Sequence, residues 1–175
     1  MATLDNSQSA LLSPEGEMVA RTTCAAPAHM LRCLAVSASS ERRELIRAAA
    51  EAEAWDAIVC RDAGEFLRAA FKHWAPLAVI DLPSVNSSNY GEMKNAVNHI
   101  REISQALVVV VGTEGGGEEV WARSSGAWAY FRQIEHQRGF RVAFSEARTA
   151  LERWQFSRRE HETSRTSAAS KAEQH

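Results

Sequence analysis

The stretch "ALVVVVG" (106–112) decides the fold. β-branched residues in an unbroken run favour an extended strand, and the lack of polar alternation means that both of its faces are covered. A strand buried on both sides belongs to a parallel sheet sandwiched between helices. The neighbouring segments repeat the pattern. Upstream, "LAVID" (77–81) follows Pro76 as a second such run, "AIVC" (57–60) a third and "LRCLAVS" (31–37) a fourth. Downstream, "AWAYF" (127–131) completes a set of five.

Helical patterns fill the gaps. "SSERRELIRAAAEAEAW" (39–55) opens on a Ser N-cap candidate, and Leu45, Ile46, Ala49 and Ala50 form an apolar face opposite Arg43, Arg47 and Glu51. "AGEFLRAAFKHW" (63–74) turns Phe66, Leu67, Ala70 and Phe71 inward. "YGEMKNAVNHIREIS" (90–104) spaces Tyr90, Met93, Val97, Ile100 and Ile103 at helical intervals. "GGEEVWARSSG" (116–126) reads as a short, weak fourth helix, and a long fifth helix runs from about Arg138 to Arg159. Strand and helix alternate through five rounds. Right-handed crossovers then give an α/β fold with a five-stranded parallel sheet, helices on both faces and the flavodoxin-like order 2-1-3-4-5.

Composition sets the remaining bounds. The chain has 175 residues, 45% hydrophobic and 24% charged, enough for one domain with tails. Residues 1–29 are rich in Ser, Thr, Ala and Pro and read as a flexible arm, 30–160 as the ordered domain, and 161–175 as a disordered tail. A net charge of −2 gives no electrostatic reason to expect nucleic acid or an acidic membrane as partner, and no basic helix stands out. No apolar run approaches the ~20 residues of a membrane span, and the N-terminus lacks the basic start and apolar block of a secretory leader. Cys24, Cys33 and Cys60 are odd in number and lack metal-ligand spacing, and a reducing, cytoplasmic setting follows. The six histidines show no paired spacing on one face, so no metal and no cofactor are expected.

In such a sheet the reactive groups gather at the carboxyl ends of the strands. There the sequence delivers Ser37, Ala38 and Ser39, then Asp81, then Gly112, Thr113 and Glu114, then Arg132 and Gln133. Asp81 has two readings, a reactive carboxylate or a loop cap accepting backbone N–H bonds. "GTEGGGEE" (112–119) lacks the Lys-Ser/Thr of a phosphate-binding P-loop and carries Glu118 and Glu119, so it reads as a mobile loop.

"VIDLPS" closing the third strand, "VVVVGT" closing the fourth and "SGAWAYF" leading through the fifth resemble the receiver domain of bacterial response regulators, over about residues 30–155. That resemblance implies a phosphate-accepting aspartate at Asp81. It also implies an acidic pair after the first strand that holds Mg²⁺, a hydroxyl residue ending the fourth strand, and a lysine followed by proline after the fifth. This chain departs at each of these places. "SASS" replaces the acidic pair, and Gly112 holds the hydroxyl position with Thr113 one step later. Gln133 stands for the lysine beside Arg132, and Ile134 for the proline. Arg132 could supply the lysine's charge and Glu114 a substitute metal ligand. Transfer of phosphate to a carboxylate depends on cations that neutralise the gathering charge. The expectation is therefore a non-enzymatic, receiver-like interaction module that docks to a histidine kinase, to another signalling protein or to itself. The alternative is a response regulator that accepts phosphate on Asp81.

Phe140, Phe144, Ala147, Leu151 and Trp154 follow a 4-3-4-3 spacing along the fifth helix. Its first half should pack on the sheet. Leu151 and Trp154, with Trp121, Trp128 and Tyr130, form a candidate interface on the fourth helix, fifth strand and fifth helix. The resemblance makes that face a dimer or partner surface.

Overall fold

A computed structural model describes residues 30–113 and 116–172, and of 155–172 the helical backbone alone. The arm expected over 1–29, and Glu114 as a substitute ligand, lie outside the described residues. The elements run β1 (Leu31–Ser37), α1 (Ser40–Ala52), β2 (Trp55–Cys60), α2 (Ala63–Lys72), β3 (Leu77–Asp81), α3 (Tyr90–Ile103), β4 (Leu107–Gly112), α4 (Gly116–Ser124), β5 (Ala129–Arg132) and α5 (Gln137–Ala172). All pairings are parallel and the sheet order is β2-β1-β3-β4-β5, as the alternation of runs predicts.

Side chains alternate across the sheet and build two cores. Leu34, Val36, Ala78, Ile80, Val108 and Val110 face α2, α3 and α4, where Phe66, Met93, Val97, Ile100 and Ala122 meet them. Cys33, Ala35, Leu77, Val79, Val109 and Val111 face α1 and α5, where Ile46, Ala49, Phe140, Phe144 and Ala147 meet them. Burying each large aliphatic or aromatic side chain contributes about 1.5–3 kcal/mol against the entropy of ordering the chain.

Local chemistry sets the helix ends. Ser39 caps α1 by accepting from the Arg42 N–H at 3.3 Å, and Asp62 caps α2 by accepting from the Glu65 N–H at 2.7 Å. At the far end of α1, the Arg148 guanidinium donates to the carbonyls of Glu53 (2.6 Å) and Ala54 (2.7 Å). Ala54 itself takes a left-handed turn at φ 54°.

Three expectations need correction. Phe71 is 75% exposed rather than inward, because α2 ends at Lys72 and its last turn overhangs the sheet beside the exposed Trp74. Ile103 is exposed for the same reason at the end of α3. The fifth helix does not stop near Arg159. It continues to Ala172. No Gly or Pro interrupts the sequence after Gly139. At 1.5 Å per residue that helix is about 54 Å long. No helix among the described residues is long and apolar enough to cross a membrane.

Candidate functional site

Asp81 ends β3 in register with Ser37 of β1 on one side and Val111 of β4 on the other. Its side chain points to the α1/α5 face and is 3% exposed. A buried carboxylate needs partners for its oxygens. Ser37 Oγ donates to Oδ2 at 2.6 Å. Arg42, in the first turn of α1, supplies the rest: Nε donates to Oδ2 at 2.6 Å and Nη2 donates to Oδ1. Its third nitrogen, Nη1, donates to the Ile134 carbonyl at 2.6 Å, and the guanidinium lies 5.5 Å from the Phe140 ring centroid.

One planar cation thus joins α1, the end of β3, the loop after β5 and the start of α5. The two parallel N–H···O bonds to a carboxylate are the strong, direction-specific form of ion pair. The hydrogen bond to Asp81 holds the Arg42 guanidinium above its ordinary pKa, against the opposing effect of burial. Its neighbour Arg43 donates to the carbonyls of Ser37 (2.9 Å) and Ala38 (3.1 Å), tying down the end of β1.

The residues at this edge do not fit a divalent cation. Such an ion takes several oxygen ligands, usually with more than one carboxylate. Here Ser37 and Ala38 end β1, and both Asp81 oxygens are engaged by a guanidinium. No group of three or more His, Cys, Asp or Glu side chains able to hold a metal occurs among the described residues.

The other residues singled out from sequence are dispersed. Ser37 does meet Asp81, as topology requires. Arg132 and Gln133 have exposed side chains, and it is Arg42 rather than Arg132 that brings positive charge to Asp81. Gln133 turns at φ 49°, with its N–H donating to the Gly112 carbonyl at 2.9 Å. Thr113 has a buried Oγ1 with no hydrogen-bond partner among the described residues. Asp81 is not the cap of its own loop, since its bonds run to Ser37 and Arg42.

On the candidate interface, Trp128 is 37% and Trp154 45% exposed, and Val120 (65%) joins them from α4. Trp121 is half-buried under the Lys94 ammonium, 4.1 Å from its ring centroid. Tyr130 is half-buried and donates to Glu118 Oε2 at 2.7 Å. Leu151 is a correction: at 2% exposed it belongs to the α1/α5 core. The helix reaches one turn further over the sheet than the sequence suggested, so the seam emerges only at Trp154.

Arg42 is the residue that the sequence reading missed, and a signal was available. Cations in the first turn of a helix oppose its macrodipole. "SERRE" places two there, which calls for acceptors nearby.

No protein-family model matches the chain, and no curated protein matches it significantly. Solved structures do match. A two-component response regulator from Clostridium difficile superposes with a TM-score of 0.61 at 13% identity, covering 71% of this chain and 98% of that one. A response regulator receiver domain protein from Clostridium thermocellum gives 0.59 at 16% identity, covering 70% and 98%. The signal receiver domain of a putative Luxo repressor protein from Vibrio parahaemolyticus gives 0.59 at 16%, covering 71% and 96%. Sheet order, helix placement and these superpositions lead to one conclusion: this chain has the fold of a response-regulator receiver domain.

Proposed function

We propose that this chain is a signal-transduction docking module that keeps the receiver fold and works without phosphorylation of Asp81 and without enzymatic activity. The observation that carries the reading is the Arg42–Asp81 pair. A carboxylate that accepts phosphate needs a free oxygen for attack and mobile cations to gather the incoming charge. Asp81 offers neither. Its oxygens are committed to Ser37 and Arg42, and the cation is already spent on the acid itself. The pocket is thus fixed in a neutralised state. Docking is assigned to the face carrying Val120, Trp128 and Trp154, where exposed apolar and aromatic groups suit a contact with a second copy or another signalling protein. The buried free thiols of Cys33 and Cys60 suit the reducing, cytoplasmic setting that this role requires.

Incubation with a small acyl phosphate donor and Mg²⁺, followed by intact-mass analysis at neutral pH, tests the reading. An unmodified chain is expected. A labile phosphoryl adduct that disappears in Asp81→Asn would replace it with a working response regulator.

A further inference from the structure

A groove of about 260 Å³ opens between the last turns of α2 and α3. Ala75 and Ala106, just ahead of β3 and β4, line it, so it lies at the amino edge of the sheet, the end opposite Asp81. Leu34 of β1 lies in its floor, and His73 and Gln105 add polar side chains. The sheet stops short of the helix ends here, and large apolar groups are left in water. Trp74 is 77% exposed, Phe71 75% and Ile103 41%. Each such side chain gains about 1.5–3 kcal/mol on full burial, so three of them together call for a cover.

The size and position of the groove point to what covers it. It is smaller than the usual small-molecule pocket of about 300–1,000 Å³. Two aromatic side chains together bury about 300–500 Å², below the roughly 800 Å² per partner of a stable interface between separate molecules. A segment tethered to the same chain needs far less, since its effective concentration reaches the millimolar range. The chain supplies such a segment at the right edge. β1 starts at Leu31, two residues ahead of the pairing of Cys33 with Leu77, so the 29 residues before Met30 lead to the sheet at its amino edge. They contain two pairs of large apolar residues, Leu11 with Leu12 and Met18 with Val19. Between the pairs, Ser13, Pro14, Glu15 and Gly16 form a sequence suited to a type I turn. Residues 20–29 join Val19 to Met30 and span up to about 35 Å when extended. Leu34 lies about 10 Å along β1 from Leu31, well within that reach.

We propose that the groove is the seat of the chain's own N-terminal segment, held by Leu11, Leu12, Met18 and Val19. Their side chains cover Phe71, Trp74 and Ile103, and His73 and Gln105 offer polar partners to the segment's backbone. The α4–β5–α5 face takes no part in this contact, so the two readings stand or fall separately.

Hydroxyl-radical footprinting of the full chain, read residue by residue by mass spectrometry, tests the proposal. The comparison is a full chain carrying Leu11→Ser, Leu12→Ser, Met18→Ser and Val19→Ser, none of which belongs to either core. Oxidation of Trp74 and Phe71 is expected to be about threefold or more faster in the variant, with Trp128 and Trp154 unchanged. The protection in the wild-type chain should not depend on protein concentration. Equal oxidation of Trp74 in the two chains would overturn the proposal, as would a rise shared equally by Trp128 and Trp154. Protection of Trp74 that fades on dilution would overturn it in favour of a second copy.

Discussion

Arg42 engages both oxygens of the buried acid at the carboxyl edge of the sheet. It sits at the positive end of α1, where a cation is disfavoured, and the Asp81 carboxylate offsets that penalty. Removing one partner of a buried pair leaves the other uncompensated, which typically costs about 3–5 kcal/mol. Arg42 is about a quarter exposed, so Arg42→Ala should cost about 3 kcal/mol, the lower end of that range. Urea denaturation at neutral pH measures it. Adding Asp81→Asn to Arg42→Ala should recover part of the loss, because the buried charge goes with it. A double variant no more stable than Arg42→Ala alone would count against the pairing. The position of Asp81 was legible in the sequence because strand ends are set by apolar runs. Its partner was not, because a long flexible side chain from another element meets it across 39 residues.

At the scale of elements, sequence and structure agree best where burial decides. β3 and β4 are apolar up to their last residues, β1 and β2 each carry one charged residue, the paired Arg32 and Asp56, and the bounds of all five strands shift by two residues at most. Helix faces were less legible at their ends, as Phe71 and Ile103 show, because periodicity does not reveal where a helix outruns the sheet. Caps give a direct test. The Glu65 N–H, first among the causes, holds the Asp62 carboxyl below its usual pKa. A group with a lowered folded pKa stabilises above its unfolded value near 3.9, and that contribution is lost as pH falls through the folded value. Asp62→Ala should therefore cost about 1 kcal/mol at neutral pH, with the gap to wild type closing in acid. Stability curves against pH check both parts. Gly112 sets a second condition. Gly112→Ala should displace Glu118 and lower the melting temperature, whereas alanine at Gly116, where a Cβ meets open space, should not. Paired thermal melts decide it.

The whole molecule is two cores divided by one sheet, with a polar lock at the same edge on either face: Arg42–Asp81 towards α1 and α5, and Glu118 with Tyr90 and Tyr130 towards α3 and α4. The division also encloses the thiols. Among the described residues, burial raises the pKa of Cys33 and Cys60, that of Cys60 to about 11, so neither is a thiolate near neutral pH. Mapped alkylation should leave Cys33 and Cys60 unlabelled in the native chain and label both on unfolding. If the α4–β5–α5 face joins two copies, sedimentation should show association that weakens with dilution and is reduced by Trp128→Ala. The topology followed from the order of apolar runs. The chemistry of the site did not, because it rests on which charge faces Asp81. A calorimetric titration of the wild-type chain with Mg²⁺ asks that question most directly. No saturable binding is expected, since a guanidinium already satisfies the acid. One-to-one binding that Asp81→Asn abolishes would show that Arg42 yields its place to a metal, and would contradict the neutralised site described above.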